Sequence, residues 1–158
     1  MRYHFKLTIG LAAIAIACGA AAAMAQEFAL QVGPPVAGNA PFSKRALLVV
    51  RPAGCADPTT AHITATAEGI VNGARRSLPL TLSAGPSSGV HAVQPEWPHS
   101  GAWVVNLVGT CAGKTAGALV SVAGPSPKYN REAVKYLSHP ATPSEIDASL
   151  KAITGSEK

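Results

Sequence analysis

The chain has 158 residues, 47% hydrophobic but only 5% aromatic, with 13 Lys and Arg against 8 Asp and Glu for a formal net charge of +5. Its basic residues are neither clustered on one face nor interleaved with aromatics, so composition excludes a nucleic-acid-binding surface. So few aromatics also leave little material for a deep apolar substrate pocket.

The first 25 residues form a unit of their own. "MRYHFK" carries Arg2 and Lys6, "LTIGLAAIAIACGAAAA" is apolar, and "AMAQ" places small residues at Ala23 and Ala25. This is the pattern of a secretory signal peptide cleaved after Ala25, which makes the protein exported, either periplasmic or secreted. The apolar run approaches the roughly 17 to 25 residues of a membrane helix, so an uncleaved anchor is the competing reading. Its second half is mostly Ala and Gly, and that weak apolarity favours cleavage. Lipidation at Cys18 is a further alternative, although Ala15 stands where a bulky aliphatic residue is usual. Cleavage leaves no membrane span. Loss of Arg2 and Lys6 from the 13 basic residues leaves 11 against 8 acidic, a net charge of +3.

Residues 26–124 read as one β-sandwich domain. Short β-branched or alternating runs are separated by Gly, Pro, Asn and Ser, with strands expected near 27–33, 44–51, 61–70, 74–82, 89–94, 101–110 and 116–123. Seven strands fit an immunoglobulin-like count. The two remaining cysteines, Cys55 and Cys111, are expected to pair, as two cysteines in an exported chain most simply do. Closing that loop constrains the unfolded chain by roughly 4 kcal/mol in the chain-entropy model.

One hairpin has a register legible in advance. Asn72-Gly73 suits a two-residue type I′ turn, because both positions need positive φ. The turn pairs Ala67 with Leu78, Ala65 with Leu80 and Ile63 with Leu82 on one apolar face, and Glu68 with Ser77 on the other. It also sets Pro79 opposite Thr66 with no N–H to offer outward, which marks the strand 74–82 as a sheet edge.

In "EWPHSGAWVVNLVGTC", Trp103, Val105, Leu107 and Cys111 share one face, expected to be the core face. Asn106 and Thr110 belong to the more polar face, and Trp97 and His99 are left near the rim. Pro98, Gly101 and Trp103, followed by an alternating apolar strand, resemble the final hairpin of small periplasmic immunoglobulin-like domains of the YtkA-like, FixH-like and CopC-like kind. The resemblance covers the last third of the sandwich. It implies an immunoglobulin-like fold and copper handling or oxidase assembly as the setting. The sequence departs from copper-binding members at its expected mature N-terminus, which is Gln26 rather than histidine, and both methionines fall within residues 1–25.

Residues 125–158 are expected to form a two-helix extension. Ser126 and Pro127 suit an N-cap and first helical position, with Tyr129, Ala133, Tyr136 and Leu137 at helical spacing. Thr142, Pro143 and Glu145 form a capping-box pattern ahead of the stripe Ile146, Leu150 and Ile153. Isolated helices this short are marginal. They either cover a sheet of their own domain or dock on a partner through Tyr129, Tyr136, Ile146, Leu150 and Ile153.

The functional expectation is an exported, non-enzymatic binding or accessory module with a protein partner in the cell envelope and no cofactor. No hydrolase motif or paired carboxylates oppose this. The alternative is a periplasmic domain handling copper or zinc through His62, His91 and His99, although no two of these have the spacing that fixes two ligands on one element.

Overall fold

The computed structural model describes residues 27–35, 45–85, 87–98, 101–122 and 128–155. The expected signal peptide, Cys18, His99, Ser126 and Pro127 lie outside the described residues. Two antiparallel sheets pack face to face. Among the described residues the chain forms β1 (Ala29–Gly33), β2 (Leu48–Ala53), β3 (His62–Val71), β4 (Ala74–Pro79), β5 (Leu82–Ala84), β6 (His91–Val93), β7 (Ala102–Cys111), β8 (Lys114–Val122), β9 (Val134–Leu137) and the helix α1 (Pro143–Gly155). One sheet has the order β1-β2-β6-β5 and the other β4-β3-β7-β8-β9.

The hairpin forms as the turn chemistry dictates. Asn72 and Gly73 both have positive φ, at 52° and 75°, and β3 pairs with β4 so that Ala67 faces Leu78, Glu68 faces Ser77 and Thr66 faces Pro79. Leu80 holds the same register one step further, donating its N–H to the Ala65 carbonyl at 2.9 Å. β4 is a sheet edge.

The expected strand 74–82 then divides. Leu82 does not reach Ile63; it pairs with Val93 of β6 in the opposite sheet. The crossing point is Thr81, whose N–H donates to the Glu96 carboxylate at 3.3 Å. Alternation was preserved across the switch, because an inward side chain keeps facing the same core from either sheet.

Trp103, Val105, Leu107 and Cys111 all enter the main core between the sheets, with Leu48, Val50 and Val93 from the opposite side. Gly69 stands opposite Trp103, and a Cβ there would collide with the indole ring. Trp97 is not at the rim. It is 5% exposed and its ring centroid lies 6.2 Å from that of Trp103, so the second tryptophan lines the same core. Cys55, just beyond β2, and Cys111, at the end of β7, are joined by a disulfide with Cα atoms 6.1 Å apart. It ties one sheet to the other.

The outer face of the five-stranded sheet is closed by α1. Ile146, Leu150 and Ile153 are buried against Val104 and Leu119, with Ala102 in the same cluster. The even face of β7 is thus polar only at Asn106 and Thr110. Arg75 ties the helix down, pairing with Asp147 of α1 and, at 3.4 Å, with the buried Glu68. Glu68 also accepts from the Ser77 hydroxyl at 2.6 Å, which compensates the cost of burying its carboxylate.

The other expected helix does not form. Residues 131–133 make a single 3₁₀ turn and residues 134–137 become β9, paired antiparallel with β8. In a short run, apolar residues three apart fit either a helix or a strand. The open edge of β8 decides the outcome: as a strand, Val134 reaches the main core while Leu137 reaches the helix cluster on the opposite face.

Candidate functional site

The segment that departed from expectation builds the most distinctive surface. Asn130 caps the start of the 3₁₀ turn by accepting the Glu132 N–H at 3.0 Å, and the chain passes from that turn directly into β9. There Tyr136 stands opposite Ala118, whose side chain is in the main core. Tyr136 is therefore on the inward face of an edge strand, from where it reaches across to β1.

Both tyrosine hydroxyls converge on Val32. Tyr129 donates to its carbonyl at 3.1 Å. Tyr136 donates to the same carbonyl at 3.3 Å and accepts from the Val32 N–H at 3.4 Å. β1 is an edge of the four-stranded sheet, and unpaired edge groups invite a foreign strand. The two phenols occupy those groups at Val32 and latch one sheet edge to the other. Burial raises the Tyr129 pKa above the ordinary phenol value and Tyr136 adds to the rise, while Arg131 opposes it.

Beside this latch lies an open hollow of about 650 Å³, floored by residues 31–34 and walled by Tyr129, Arg131 and Tyr136. Tyr136 remains 53% exposed. A second hollow, of about 410 Å³, begins on the other side of Gln31 and runs past Arg51 towards Cys55, Pro58, Ser87 and Ser88. Gln31 lines both, and its side-chain oxygen accepts from Arg51 Nε at 2.7 Å. The two hollows share Gln31 of β1 and together, as the β1 groove, present aromatic, neutral polar and guanidinium groups.

The other expected site residues are placed as follows. Ile146, Leu150 and Ile153 are buried on the chain's own sheet, whereas Tyr129 and Tyr136 border the groove. His62 opens β3 and is exposed, opposite Thr110 of the five-stranded sheet. His91 opens β6 and is half-buried, between Val50 and Ala84 of the four-stranded sheet. These two histidines thus belong to different sheets. Among the described residues, no group of three or more His, Cys, Asp or Glu side chains is placed to hold a metal ion. Gln31, Arg51 and Arg131 were not singled out by sequence. Arg131 had one available signal, its position between the two tyrosines.

Neither a protein-family model, nor a characterised protein, nor a solved structure matches the chain. Among the described residues, no helix is long and apolar enough to cross a membrane.

Proposed function

We propose that the protein is an exported, non-enzymatic binding module of the cell envelope, built on an immunoglobulin-like sandwich, and that the β1 groove is its contact surface. The observation that carries this reading is the pairing of exposed Tyr136 with Tyr129 and Arg131 around one hollow. Tyr and Arg are the residue types that dominate binding energy at protein interfaces. Here the latch to Val32 holds the phenols in place before any partner arrives, which lowers the ordering cost of binding. The N-terminal export pattern and the Cys55–Cys111 pair support an oxidising compartment.

Two measurements test the reading. N-terminal sequencing of protein recovered from the envelope fraction is expected to begin at Gln26; an intact Met1 in the cytosol contradicts export. Affinity recovery from envelope extracts is expected to yield a protein that wild type retains and that Arg131→Ala and Tyr136→Ala lose at unchanged far-ultraviolet circular dichroism. Equal recovery by all three contradicts the groove. Stoichiometric copper or zinc binding abolished by His62→Ala or His91→Ala would instead establish the metal-handling reading.

A further inference from the structure

We propose that the β1 groove takes an extended acidic peptide segment of a partner protein, whose carboxylates pair with Arg131 and Arg51. The proposal deepens the groove reading and rests on it. Its first basis is charge. The two hollows are lined by two charged side chains among the described residues, both arginines, and by no carboxylate.

Both guanidiniums are available for recognition. Neither is in an ion pair among the described residues, in contrast to Arg75 and Lys135. Gln31 engages only the Nε of Arg51, which fixes the side chain and leaves its terminal nitrogens for an incoming group. A guanidinium presents paired N–H groups that match a carboxylate two by two. Arg131 sits close enough to Tyr129 to oppose the rise in its pKa, so a carboxylate on Arg131 would also lie beside the phenols.

Shape favours a peptide over a compact anion. The two hollows share Gln31 and each holds one arginine, so an occupant that meets both arginines has to extend past Gln31. The occupant lies along the outward side of β1 rather than adding a strand at Val32, because the tyrosines hold both backbone groups there. Each hollow sets its arginine beside an apolar wall, Pro34 and the exposed ring of Tyr136 with Arg131 and Pro58 with Arg51, which suits acidic residues separated by apolar ones.

The test is a fluorescence-anisotropy titration of the full mature protein with a fluorescein-labelled hexapeptide of alternating Glu and Val. A Lys/Val hexapeptide and a labelled hexagalacturonate serve as comparison probes. Saturable binding of the Glu/Val peptide is expected, weakened about tenfold or more by the Arg51→Ala/Arg131→Ala pair and several-fold by each single change. Both arginines are exposed, and unchanged thermal midpoints would establish that the variants fold. Equal affinity of wild type and double variant, or no saturation with the acidic peptide, overturns the proposal. Tighter binding of hexagalacturonate overturns the peptide class in favour of a glycan. If the acidic probe fails while Tyr136→Ala still loses the envelope partner, the ligand class is wrong and the groove reading stands.

Discussion

Residues 128–137 and 143–155 look like a matched pair in sequence, each a short amphipathic run behind a capping residue, yet one becomes an edge strand and the other a helix. The difference lies in how many local signals agree. At Thr142 the capping box is complete: the Thr142 N–H donates to the Glu145 carboxylate at 2.9 Å, and the Glu145 N–H donates to the Thr142 hydroxyl at 3.4 Å. Three apolar residues then recur on one face for the length of the helix. At Asn130 the cap closes a single turn, and the apolar residues behind it are needed on opposite faces of a sheet. The helix half is consumed in covering the protein's own sheet, while the strand half leaves Tyr136 and Arg131 exposed beside the half-buried Tyr129.

The largest expected effect that separates the halves is at Leu150, which is 1% exposed. Leu150→Ala is expected to cost about 2–5 kcal/mol, measured by urea denaturation. It should increase hydrogen exchange in α1 while the Tyr136 latch stays protected; equal exchange in both would make the tail one unit. Thr142→Ala removes the cap and is expected to cost about 1 kcal/mol, again by urea denaturation, with no effect on groove binding. Tyr136→Phe keeps the ring but deletes both bonds to Val32. It is expected to cost about 1 kcal/mol and to speed exchange of the Val32 amide, while Tyr129→Phe, which loses a bond only to the Val32 carbonyl, should leave that amide protected.

The smallest effect is a pH dependence. The Thr142 backbone N–H, with the Thr142 hydroxyl, His139 and Lys135, holds the Glu145 carboxyl below the usual carboxylate range. A depressed folded-state pKa contributes stability above the unfolded value of about 4.3, which is lost as pH falls through the folded value. Glu145→Gln is therefore expected to flatten the acid limb of the thermal midpoint of α1 docking, followed by helix circular dichroism. An unaltered acid limb would mean that this carboxylate does not couple to the helix.

Much of the sandwich was legible because its signals are local. Asn72-Gly73 set a turn and with it the β3–β4 register, and Pro79 marked the edge. The alternation through Trp103 to Cys111 identified the core face, and the count of two cysteines beyond the export pattern gave the disulfide. What was not legible depended on contacts between distant segments. Leu82 alternates correctly for either sheet, so sequence did not reveal the crossing that Glu96 and Thr81 hold. Trp97 looked peripheral beside Pro98, yet it is buried with its ring against the Trp103 indole. The tail helices could equally have covered a sheet or docked on a partner, and only the packing of α1 on Val104 and Leu119 decides for the cover. The groove was half legible: the tyrosines stood out, but their relation to β1 arises from the β8–β9 pairing. Arg51 enters it only through Gln31, twenty positions away in sequence.

The most direct test of the separation between a contact surface and a self-cover is an amide chemical-shift titration of isotope-labelled protein with the Glu/Val hexapeptide. Shifts are expected to concentrate at Gln31, Val32, Gly33, Tyr129, Arg131 and Tyr136 and to leave α1 unmoved. Shifts concentrated on α1, Val104 and Leu119, with the groove silent, would contradict the account.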